Sequence, residues 1–134
     1  MSCNSAIYVA NANPSVLTDG AIIPLGSIVR RFGNAIQLTG NSVRIGAVGY
    51  YSVAANIDVQ GAAVGDLSVA LYRNGVPIPG AIATDHTGTA GNSANLTINA
   101  LVRRTCQCGE PEELTLVLND AGTVTNVGMV VVKV

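Results

Sequence analysis

Three sets of side chains in this 134-residue chain have types that could do chemistry: one histidine, a cluster of glutamates and three cysteines. His86 opens the polar run His86-Thr87-Gly88-Thr89-Ala90-Gly91-Asn92-Ser93, preceded by Asp85. A Ser-His-Asp relay needs the imidazole held between a nucleophile and an orienting carboxylate. A run of Gly, Thr, Asn and Ser describes an exposed loop instead. Glu110, Glu112 and Glu113 cluster beside Pro111, where a glycosidase pair or a calcium site would be conceivable. Carboxylates so close together ahead of a strand are more simply explained by solvation. Cys3, Cys106 and Cys108 are odd in number, and the C-x-C spacing is too tight for a zinc knuckle, with His86 far away. Two readings of the thiols stay open: reduced cysteines in a protein made in the cytoplasm, or a link between Cys3 and the 106–108 segment, within or between chains. Asp58, Asp66, Asp85 and Asp120 fall at turn or exposed positions, and no Gly-rich phosphate loop leads into a helix. The Asn95-Leu96-Thr97 sequon lies inside a predicted strand and is read as chance. The inventory predicts no enzyme, no cofactor and no metal.

The elements that would position these residues are β-strands. The strongest local signal is Asn74-Gly75 between the runs DLSVALYR and VPIPG, because a type I′ turn needs positive φ at both central residues. Candidate strands are 6–10, 21–31, 35–39, 42–46, 50–59, 66–73, 76–79, 94–103, 113–119 and 123–134, separated by Gly, Pro, Asn and Asp clusters. No segment has a 3.6-residue period. Strands at this spacing without helices predict a single antiparallel β-sandwich or barrel domain over 1–134. Alternation assigns Tyr51, Val53, Ala55, Ile57 and Val59 to one face and Tyr50, Ser52, Ala54, Asn56 and Asp58 to the other. Leu67, Val69, Leu71, Leu96, Ile98, Ala100, Val102, Leu114, Leu116 and Leu118 read as core by the same rule. The final strand departs from it: Met129, Val130, Val131 and Val132 run together, so both faces need cover, and another subunit is the expected second layer.

Composition points the same way. Hydrophobic residues are 49% of the chain, aromatics 4% and charged residues only 11%, with no Trp. An average soluble domain carries roughly 25% charged residues. A surface this poor in charge favours burial against partners or identical copies. The formal charge is −1 and Lys133 is the lone lysine, which excludes the basic footprint of a duplex nucleic-acid binder. No apolar run is long enough for a membrane helix, and the start MSCNSAIYVANANPS lacks the pattern of a secretion signal, so an intact product with ordered ends is expected. Arg30-Arg31 and Arg103-Arg104 are the basic pairs, expected at strand edges or interfaces.

The run from Gly49-Tyr50-Tyr51 through Leu71-Tyr72-Arg73-Asn74-Gly75-Val76-Pro77-Ile78-Pro79-Gly80 to LTINALVR, LTLVLN and a valine-rich last strand resembles the small tumour-necrosis-factor-like jelly rolls of bacteria and their phages. Leu25–Gly33 and Ala100–Gly109 are similar to stand-alone phage versions, and the likeness spans about residues 6 to 134. That family includes carboxy-terminal domains of collagen-like exosporium proteins and short phage structural proteins. The resemblance implies a jelly roll of about ten strands that assembles as a tight homotrimer. The chain departs from the family in lacking Gly-X-Y repeats and heptads, and with so few aromatics a threefold axis would be lined by aliphatic residues. The expected function is that of a phage virion structural protein, a trimeric decoration or head-fibre protein on the outside of the capsid, made in the host cytoplasm. Its expected partners are itself and a major capsid or other shell protein. Residues 1–14 would serve as a docking arm with Ile7, Tyr8 and Val9 as apolar anchors, although 6–10 also reads as an ordinary first strand. Arg30 and Arg31 would add rim contacts, and Val131 would lie between subunits. The alternatives are a receptor- or glycan-binding fibre tip, for which Tyr8, Tyr50 and Tyr72 are the exposed aromatics available, or a bacterial spore or cell-surface component.

Overall fold

The computed structural model describes residues 5–61, 65–87, 93–104 and 112–134, and among them it contains eleven strands and no helix. In chain order these are β1 (Ala6–Asn11), β2 (Ser15–Leu17), β3 (Ser27–Phe32), β4 (Ile36–Thr39), β5 (Ser42–Ile45), β6 (Gly49–Gly61), β7 (Gly65–Arg73), β8 (Val76–Thr87), β9 (Ser93–Arg104), β10 (Glu112–Asn119) and β11 (Gly122–Lys133). They build two antiparallel sheets. One is six-stranded, in the order β3-β1-β11-β6-β9, with β2 pairing the start of β11; the other is five-stranded, in the order β4-β5-β10-β7-β8. β1–β3, β4–β5 and β7–β8 stay within a sheet and the other connections cross between sheets, which gives a jelly-roll sandwich with a single core.

The core forms because β-branched and leucine side chains recur at every second position on the long strands. Tyr51, Val53, Ala55, Ile57 and Val59 of β6 face Leu67, Val69 and Leu71 of β7 and Leu114, Leu116 and Leu118 of β10, all buried. Tyr51 is the one aromatic ring there. Its hydroxyl donates to the Ala47 carbonyl at 2.7 Å, and burial pushes the phenol pKa above its ordinary value, against the pull of nearby Arg104.

Asn74 and Gly75 have φ of 52° and 81°, so the β7–β8 hairpin turns as a type I′ turn requires. Asn74 also ties that turn to β10: its N–H donates to the Glu113 carbonyl, and its side-chain oxygen accepts from the Glu113 N–H.

Three elements differ from expectation. The predicted strand 21–31 is interrupted. Pro24 has no N–H to give, and Gly26, at φ +77°, bends the chain against β1 so closely that a Cβ would lie 2.3 Å from the Ala10 carbonyl oxygen. Of its first half there remain the bridge from Ile22 to Val117 and two bonds to β10, from the Leu118 N–H to the Ala21 carbonyl and from the Ile23 N–H to the Leu116 carbonyl. β2 has no counterpart among the predicted strands; three residues, Ser-Val-Leu, are too few to show alternation. β8, expected to end at 79, runs to Thr87. The β7–β8 register breaks between Ala70 and Tyr72, letting the residues around Pro79 and Gly80 bulge, and pairing resumes with Ile82 opposite Ala70. As the last strand of its sheet, β8 bonds to one neighbour only and so tolerates proline.

Candidate functional site

The outward side of the six-stranded sheet is defined by register, because residues paired across an antiparallel ladder share a face. One row across it reads Phe32, Ala6, Val132, Ser52, Leu101, from β3 to β9. The next reads Arg30, Tyr8, Val130, Ala54, Asn99, and the third Ser27, Ala10, Gly128, Asn56, Thr97. Beyond them Asn126, Asp58 and Asn95 line up on β11, β6 and β9. The face is therefore graded along its strands: aliphatic and aromatic at one end, amide at the other. Phe32, Val132, Leu101, Tyr8 and Tyr50 are all exposed there, Leu101 to 63%. The charges on these rows are few. Arg30 sits at the β3 edge, Asp58 at the amide end, and Arg103 at the β9 edge stacks its guanidinium 5.4 Å from the Tyr50 ring centroid.

A hollow of about 330 Å³ lies in the middle of this face. Small residues make it: Ala10, Ala54 and Gly128 place almost nothing above the sheet, while Tyr8 walls one side and Asn56, Thr97 and Asn126 the other. At the amide end Asn95 donates from its side-chain nitrogen to both Asn56 and Asp58, and its oxygen accepts from the Thr97 hydroxyl. β11 changes register between Val124 and Asn126, and Thr125 at that bulge donates to the Asp58 carbonyl.

The five-stranded sheet carries its charges differently. Arg44 of β5 meets Glu113 of β10 at 2.9 Å, and Arg73 of β7 meets Glu112 of β10 at 2.8 Å. His86 Nδ1 lies 2.9 Å from Asp66 Oδ1 across the β7–β8 pair. Arg44–Glu113 and His86–Asp66 lie on the outward side of that sheet, whereas Arg73–Glu112 falls at the end of its core side, in register with Leu114 and Ile45.

These positions decide the chemistry-bearing candidates. His86 stands on a strand and not in a loop: Asp66 pairs with it across the ladder, and its side chain is exposed. Both Glu112 and Glu113 hold arginines, so solvation alone does not describe them. Glu110, Cys3, Cys106 and Cys108, and with them the proposed thiol link, lie outside the described residues. Among the described residues no group of three or more His, Cys, Asp or Glu side chains is placed to hold a metal.

The contact candidates divide. Ile7, Val9 and Val131 are buried in the core at 1%, 0% and 0% exposure, so as direct contacts for a shell or a second subunit they are corrected: alternation turns them inward. Tyr8 points outward between them. Residues 6–11 form an ordinary strand held on both sides by β11 and β3, not a free arm. The doubly apolar last strand holds, but its outward members are Val130 and Val132. Arg30 and Arg31 are exposed on β3, the end strand of its sheet. Arg104, by contrast, is buried at the end of β9 and donates to the Ile45 carbonyl at 3.1 Å. The β9 residues Leu101 and Thr97, with Gly128 and Asn126 of β11, are surface-forming residues the sequence reading passed over. The signal for them lies in the outward half of each alternation, where Thr97 and Leu101 oppose the core set of β9.

No family model and no curated protein matches the sequence. Solved structures do match over nearly the whole chain. Murine APRIL at pH 5.0 is similar with a TM-score of 0.77 and 12% identity, over 98% of this chain and 99% of that one. The globular domain of zebrafish complement 1qA protein gives 0.69 and 11%, over 93% and 94%. PRD1 vertex protein P5 gives 0.66 and 13%, over 97% and 96%.

Proposed function

Starting from a chain with the tumour-necrosis-factor-like jelly-roll fold, we propose that it is a non-catalytic building part of a phage virion that associates with identical copies, as a homotrimer, through the outward face of its six-stranded sheet. The observation that carries this reading is the contrast between the two sheets. The five-stranded sheet turns the Arg44–Glu113 and His86–Asp66 pairs outward, with Ile82 as an exposed apolar residue beside them. The other exposes Phe32, Leu101, Val132, Tyr8 and Tyr50 toward its apolar end, with Tyr8 also walling the hollow. Exposed apolar surface gathered on one face marks an interaction site in a soluble protein. Threefold closure is what the family resemblance implies.

The virion role draws on the family resemblance and on the likeness to a vertex protein. In this reading the trimer decorates the outside of a capsid. Arg30 and Arg31, exposed at the end of the sheet, supply rim contacts to the major capsid protein or another shell protein. Sedimentation velocity of the purified protein tests the first part: a trimer down to low micromolar concentration is expected, and a monomer there refutes it. Imaging of intact particles tests the second, with regularly arrayed copies on the shell expected. A few copies at a fibre tip, together with reproducible glycan binding, would replace decoration by host recognition.

A further inference from the structure

The graded face of the six-stranded sheet contains two kinds of surface, and they cannot do the same work. Its apolar rows, with Phe32, Val132, Leu101, Val130 and Ala54, would be buried about equally well in many relative alignments of two copies. Apolar burial is non-directional and follows area rather than alignment. The amide end is more selective. Asn95 spends both side-chain N–H groups within its own chain, on Asn56 and Asp58. Asn56 accepts there but keeps its own NH₂ donors, and among the described residues neither those donors nor the Asn126 amide has a protein partner. Asn56 and Asn126 are exposed in the single chain, so water serves them. Once the face is covered that water leaves, and an amide buried without a partner is strongly penalised. Only alignments in which a neighbouring copy answers these groups then remain stable.

Resting on the self-association reading above, we infer that the Asn56 and Asn126 amides beside the Gly128 hollow select the alignment and number of copies, while the apolar rows supply the affinity. This is the division of labour by which a single buried asparagine sets the strand number of a coiled coil at a cost in stability. The occupant of the amide end is a second copy of this chain, presenting hydrogen-bond donors to the Asp58 carboxylate and carbonyl or amide groups to Asn56 and Asn126.

Native mass spectrometry of Asn56→Leu/Asn126→Leu alongside the unaltered protein tests the inference. Both positions point away from the core, so circular dichroism should show an unchanged β-sheet spectrum. The single variant Asn126→Leu carries the same test if the double variant does not fold. The expected result is that the unaltered protein gives one stoichiometry and the variant loses it, associating as a mixture of species without becoming monomeric. A variant that keeps the same single stoichiometry overturns the inference. A variant that falls apart to monomers overturns it too, because the amides would then supply affinity and not selection. If the unaltered protein is itself monomeric, the self-association reading fails and takes this inference with it.

Discussion

Val131 and Leu101 are both aliphatic residues of the six-stranded sheet, yet substituting them should have opposite consequences. Val131 is fully buried between the sheets. Val131→Ala removes two methyl groups, about 1.6 kcal/mol of transfer free energy, and leaves a cavity that raises the cost to about 2–3 kcal/mol. For 134 residues, with about 2.1 cal/mol/K of unfolding entropy per residue, Tm should fall by about 7–11 °C. Leu101 is 63% exposed in the single chain, so Leu101→Asp should leave the folding of that chain within about 0.5 kcal/mol. In the assembly the same carboxylate would be buried without a partner, at about 3 kcal/mol or more per contact, or roughly a hundredfold loss in affinity. Urea denaturation at two protein concentrations, with sedimentation velocity, separates the two effects. A Val131→Ala variant as stable as the parent would refute the inward placement of that residue. A Leu101→Asp variant that associates as tightly as the parent would refute the covered face.

Gly26→Ala should destabilise by about 2 kcal/mol or more in thermal melts, since its Cβ would overlap the Ala10 carbonyl and φ is +77°; a loss under about 0.5 kcal/mol would mean the 22–26 segment can move off β1. Asn74→Ala should cost about 1–2 kcal/mol, through the left-handed φ and the lost acceptor for the Glu113 N–H. Tyr51→Phe loses the bond to Ala47 and should melt lower at neutral pH. Because the folded phenol has its pKa raised, the folded state holds its proton while the unfolded chain releases it above pH 10.0. The tyrosine's contribution is therefore whole below that pH and shrinks above it by up to about 1.4 kcal/mol per pH unit. Melts of the two proteins should converge as pH rises past 10.0, and a gap that widened would contradict the sign. Arg44–Glu113, with both side chains about two-fifths exposed, should give no more than about 1 kcal/mol in a double-mutant cycle.

The long strands were legible because period-two alternation extends over many residues in β6, β7, β9 and β10, and the Asn-Gly turn needs nothing beyond its own two residues. The 21–31 stretch was not, because its fate is decided by Gly26 meeting Ala10, a contact made only in the folded sandwich. The length of β8 likewise depends on a bulge against β7 and on its place at the edge. Of the surface, the doubly apolar last strand was legible as needing cover, but which valines face out was not resolved until Val131 was found opposite Val53 and in the core. Ile7 and Val9 were misplaced for the same reason: an apolar triplet shows that a strand is buried on one side without saying which residues take that side. The pairing of Glu112 and Glu113 with Arg73 and Arg44 joins residues 39 and 69 apart in the chain, beyond any local pattern.

The seating of β1 against β11 governs how the domain can be made. Ala6 pairs with Val132 and Asn11 with Val127, so the middle of the six-stranded sheet joins the first strand to the last. Loop closure over such a span is entropically slow, and no earlier partner can complete that ladder in its place. During synthesis the opening strand must wait, with its apolar side unshielded, until nearly the whole domain has left the ribosome. The six-stranded sheet is thus the last part of the domain to mature, because its central ladder waits for β11.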